Sequence, residues 1–131
     1  METNISNKCK AFTSLEQSKN LAEILPLESA DGFYEAQINP FTNKWEDILF
    51  VGNEWASDEV VIPAWSLAAL FDVLPEINGV NLKFERVKAE DGYNGYYYHI
   101  EYEDKILIPY CKNPTDACYA MIIKLNEQKL L

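Results

Sequence analysis

A chain of 131 residues, 48% apolar and 13% aromatic, has the length of one folded domain and is too apolar for disorder. A net charge of −10 without any basic cluster excludes a nucleic-acid footprint, since the densest basic stretch, Lys83, Arg86 and Lys88, is interrupted by Glu85. No apolar run nears the roughly 20 residues of a membrane span. Three cysteines without a CxxC spacing and a single histidine argue against a disulfide framework or a zinc knuckle, so no metal and no cofactor is expected.

In chain order, residues 1–12 are polar and aperiodic, and are expected to form a mobile N-terminal arm. Met1–Ile5 lacks the charged-then-apolar start of a signal peptide, so a cytoplasmic location is expected. Ser14 with Gln17 three residues on is a capping-box pattern that opens a helix. Leu15, Leu21, Ala22 and Leu25 give that helix its apolar face, and Pro26 ends it. Residues 33–38 read as a short strand and Asn39–Asn43 as a turn. Ile48–Val51 and Glu59–Ile62 read as two further strands.

Pro63 then suits the first position of a helix over 63–74. Leu67, Leu70, Phe71 and Leu74 mark one face of it, with Ala64 and Ala68 beside them, and these four large residues are expected to be nearly all buried. Val80, Leu82 and Phe84 alternate with polar residues as in a half-buried strand. Asp91–Gly95 supplies two turn signals, and the return strand puts Tyr96, Tyr98, Ile100 and Tyr102 on one face. Tyr97, His99 and Glu101 fall on the other, outward face. A turn at 103–105 into Ile106–Ile108 completes a three-stranded meander. Asn113, Pro114 and Asp116 announce the last helix, whose stripe is Cys118, Met121, Ile122 and Leu125. The pattern predicts an α+β fold: about three helices packed on one face of a mainly antiparallel sheet, in a single domain over 13–131.

Chemistry-bearing residues are few. Cys111, between a strand and a helix N-terminus, sits where a thiol pKa can fall, with His99 as the sole imidazole base. Glu28 and Asp31 form a close carboxylate pair suited to acid–base work or to a cation. No phosphate-loop, dinucleotide or zinc-protease pattern occurs. The aromatics are more suggestive. Tyr93, Tyr96, Tyr97 and Tyr98 cluster at one hairpin end, with Tyr93, Tyr96, Tyr97 and Asp91 as the candidate contact residues, and tyrosine buries area at little rotamer cost where proteins bind partners.

Three segments, residues 13–31, 62–70 and 113–122, together resemble a group of small uncharacterised proteins carried by phages and mobile elements of gut anaerobes. The resemblance implies no catalytic residues. It implies an accessory protein that acts by binding host components. The leading expectation is therefore a small acidic, non-enzymatic binding protein, with a host protein or a second copy of the chain as partner. The alternatives are a protein that sequesters a small metabolite or signalling nucleotide, and a small enzyme using Cys111 or the Glu28/Asp31 pair.

Overall fold

A computed structural model describes residues 10–52, 61–74, 82–102 and 106–131. The fold is α+β, and among the described residues the strands divide between two antiparallel three-stranded sheets instead of forming one. Contacts within the chain gather into two units, Phe12–Ala69 and Lys10–Ala11 with Leu70–Leu131.

In the first unit, helix α1 (Leu15–Ala22) starts at the expected box: Gln17 N donates to Ser14 Oγ (3.2 Å) and Ser14 N to Gln17 Oε1 (3.0 Å). Regular α-structure stops at Ala22, and a 3₁₀ turn (Leu27–Ser29) follows Pro26. Strand β1 (Gly32–Asn39) pairs with β2 (Lys44–Val51), and both are longer than the sequence pattern suggests. Their turn is closed by Asn39, whose Oδ1 accepts from Phe41 N at 2.8 Å, with Asn43 in the left-handed region at φ 58°. Gly32 is required because a Cβ there would lie 2.7 Å from the Phe12 ring.

Strand β3 (Ile62–Ala64) lies on the other side of β1. Pro63 is therefore a strand residue, opposite Phe33, and not the first residue of a helix. A proline is tolerated there because β3 is an edge strand. Of the strand expected over Glu59–Ile62, residues 59–60 fall with 53–58 outside the described ones, and β3 runs on from Ile62 to Ala64. Trp65 is fully buried, and its polar groups are all used: N donates to Thr13 Oγ1 (3.1 Å), Nε1 to Ser29 Oγ (2.9 Å), and the carbonyl accepts from Thr13 N (2.9 Å).

Helix α2 (Leu67–Val73) begins where Ser66 Oγ accepts from Ala69 N at 3.2 Å, an N-cap contact. It has only seven residues, too few to bury a whole stripe. Leu70 is fully buried, Leu67 and Leu74 are half-buried, and Phe71 is 43% exposed, contrary to the expectation for this face. Phe71 turns an edge of its ring to Phe84, with centroids 5.5 Å apart.

The second unit contains the predicted meander: β4 (Lys83–Lys88), β5 (Tyr96–Tyr102) and β6 (Ile106–Leu107). Val80 and the 103–105 turn lie outside the described residues. Helix α3 (Pro114–Glu127) packs on β5 and β6. Its cap is as expected, Asp116 N donating to Asn113 Oδ1 at 2.8 Å, and Cys118, Met121, Ile122 and Leu125 are all fully buried. Lys10, expected in the mobile arm, is tied to this helix: its Nζ meets Asp116 Oδ1 at 2.6 Å, and its carbonyl accepts from Thr115 Oγ1 at 2.9 Å.

Candidate functional site

The β4–β5 hairpin is built so that its tyrosines are held in place while remaining at the surface. Glycine is needed at two turn positions. Gly92 has φ 94°, and a Cβ on Gly95 would lie 2.8 Å from the Tyr93 ring. Asp91 folds the turn back on itself, Oδ1 accepting from Tyr93 N (3.2 Å) and Oδ2 from the Tyr97 hydroxyl (2.6 Å). Those two bonds bring the Tyr93 and Tyr97 rings to 5.4 Å between centroids. The hydrogen bond from Tyr97, and then that from Tyr93 N–H, hold the Asp91 carboxyl below the usual carboxylate range. Asp91 in turn pushes the Tyr97 phenol above the usual tyrosine value.

Two cations complete the surface. Arg86 lies over Tyr96 at 4.2 Å and Lys112 over Tyr93 at 4.7 Å. Lys112 arrives from far along the chain, because Tyr98 and Cys111 exchange backbone hydrogen bonds (2.6 and 2.8 Å). Tyr93, Gly95, Tyr96, Tyr98 and Lys112 line an open depression of about 180 Å³. Of the residues singled out from sequence, Asp91, Tyr93 and Tyr97 thus meet directly, and Tyr96 stands on the rim. Tyr98, also in the cluster read from sequence, lines the depression, whereas Arg86 and Lys112 were not legible as members, since strand register places them.

The other candidates do not assemble. His99 was expected on an outward face, but it is only 7% exposed. The pairs Glu101–Leu107 and Tyr98–Cys111 differ in register by one residue, so three residues, 108–110, oppose two on β5. That extra residue carries Tyr110 onto the imidazole, with centroids 4.4 Å apart and planes at 15°. His99 Nδ1 lies 3.9 Å from Glu101 and 4.0 Å from Glu85, without a hydrogen bond. The Cys111 thiol donates to Pro109 O (3.4 Å), and burial pushes its pKa up, the opposite of what a nucleophile needs. Burial pushes the Cys118 thiol up to about 12. Asp31 gives both carboxylate oxygens to Ser66, accepting from its N (2.8 Å) and its hydroxyl, while Glu28 is exposed. Cys9 lies outside the described residues. Among the described residues no cluster of three His, Cys, Asp or Glu side chains suited to a metal forms, and no helix is long and apolar enough to cross a membrane. No family model matches the chain, and no curated protein or solved structure matches it.

Proposed function

We propose that this chain is a non-enzymatic binding protein, and that the hairpin around Asp91–Tyr98 is its contact surface. One observation carries the reading. The Asp91–Tyr97 hydrogen bond fixes two tyrosines in tilted contact, 5.4 Å between ring centroids and 36° between planes, at an exposed turn. Ordering side chains before a partner arrives removes part of the entropy cost of association, and tyrosine is a frequent anchor in such surfaces. The resemblance to small uncharacterised proteins carried by phages and mobile elements favours a host protein as partner, by association with the accessory proteins such elements carry. Sequestration of a small molecule at this hairpin is less well served, because its open depression of about 180 Å³ is smaller than the roughly 300–1,000 Å³ of drug-sized ligand pockets.

The test is affinity capture from host cells with the native chain and with Tyr97→Ala, scored by mass spectrometry alongside thermal melting of both proteins. The expected result is a partner recovered by the native chain and lost by a variant whose melting temperature is unchanged. A variant that melts early yet captures the same partner would show that Tyr97 only covers the sheet, and the site assignment would fall. Asp91→Ala is expected to weaken capture at low and high salt alike, because it removes the hydrogen bond that orders Tyr97 before the partner arrives.

A further inference from the structure

Among the described residues, the β1–β2 hairpin leaves a second apolar surface exposed. Trp45 is 69% exposed, Val51 77% and, at the turn, Phe41 94%, with Ile38 and Leu49 also exposed. Register puts Ile38 opposite Trp45, Tyr34 opposite Leu49 and Ala36 opposite Asp47, so Trp45, Asp47, Leu49 and Val51 share one face of β2. Strand β2 is outermost in the order β2-β1-β3, and among the described residues it pairs with β1 alone. All eight of its pairs run without a bulge, and no proline interrupts Lys44–Val51. Gly52 N donates to Asp31 O at 2.8 Å, continuing the ladder. Alternation from that bond turns the N–H groups of Trp45, Asp47, Leu49 and Val51 away from β1. Native proteins usually blunt such an edge with a bulge, proline or lysine; the only lysine in β2 is at its end, Lys44.

Charge selects the occupant. The strand pair carries Glu35, Glu46 and Asp47 against Lys44, on a chain of net charge −10. A second copy would bring the same acidic edge against itself. We infer that the β2 edge takes up an extended segment of another protein by strand addition, with Lys or Arg opposite Glu46 and Asp47 and β-branched or aromatic residues opposite Trp45, Leu49 and Val51. Backbone hydrogen bonds supply the affinity in this mode, and the side-chain pattern supplies the choice of partner.

The probe is a blocked synthetic nonapeptide with two adjacent arginines and valine or threonine elsewhere, titrated into the full chain and followed by backbone amide shifts. Shifts and slowed hydrogen exchange are expected at Trp45, Asp47, Leu49 and Val51, with binding that weakens as salt is added. The same peptide with glutamates in place of the arginines should not bind. The double variant Glu46→Lys with Asp47→Lys should reverse that preference, which a purely structural role for the two acids would not do. Val51→Lys, at an exposed position, should weaken binding while leaving the melting temperature in place. Equal binding of both peptides, shifts confined to other residues, or no shifts at millimolar peptide would each overturn the proposal. So would concentration-dependent self-association abolished by Val51→Lys, since a second copy would then own the edge.

Discussion

At the scale of single residues, the hairpin's order rests on a proton that Tyr97 keeps and Asp91 lacks. Asp91 is held below the usual carboxylate range, so its contribution is present above that range and is lost as pH falls through its lowered pKa. Tyr97 is raised, so its contribution is full below the usual phenol value and is lost as pH rises through its own. The Tyr93–Tyr97 contact should persist across neutral pH and dissolve at both extremes. Ring proton shifts of Tyr93 and Tyr97 followed across pH would show this. In Tyr97→Phe the Asp91 titration should move up toward the ordinary carboxylate range. An unchanged Asp91 titration in that variant would mean the hydrogen bond does not hold the turn.

At the scale of elements, the helices differ in what stabilises them. Helix α3 has a side-chain cap that also closes on itself, Asn113 Nδ2 donating to Asp116 Oδ2 at 2.9 Å while Oδ1 takes the Asp116 N–H. Asn113→Ala should cost about 1 kcal/mol, the ordinary worth of such a cap, or more because Asn113 is itself buried. Helix α2 depends on one side chain. Leu70→Ala should cost about 2–5 kcal/mol through lost burial and the cavity left behind, whereas Phe71→Ala should cost less because its ring is partly in solvent. Urea unfolding of the three variants checks the ranking. A Phe71→Ala change as severe as Leu70→Ala would indicate that the Phe71–Phe84 edge contact carries more than its exposure implies.

At the scale of the whole molecule, the net charge of −10 is the dominant global term. Few cations offset it locally, Lys10 on Asp116 being the ion pair with the shortest separation among those described. Like charges spread over a small protein repel one another, and salt screens that repulsion over a Debye length of about 10 Å at 0.1 M. The melting temperature should therefore rise as salt is added from low ionic strength. A fall would mean that attractive pairs, such as Lys10–Asp116, outweigh the general repulsion.

What the sequence determined by itself is local. The Ser14–Gln17 box, the Asn113 cap, the buried stripe from Cys118 to Leu125, the Asp91–Gly95 turn and the antiparallel meander all follow from residues a few positions apart. The same local rules misplace Pro63, because a proline starts a helix as readily as it sits in an edge strand, and only pairing with Phe33 decides between them. Tertiary structure alone put Lys112 beside Tyr93, spent Asp31 on Ser66 and turned β2 outward. It also buried His99 beneath Tyr110, since the extra residue that re-aims the ring is visible only when two strands are set side by side.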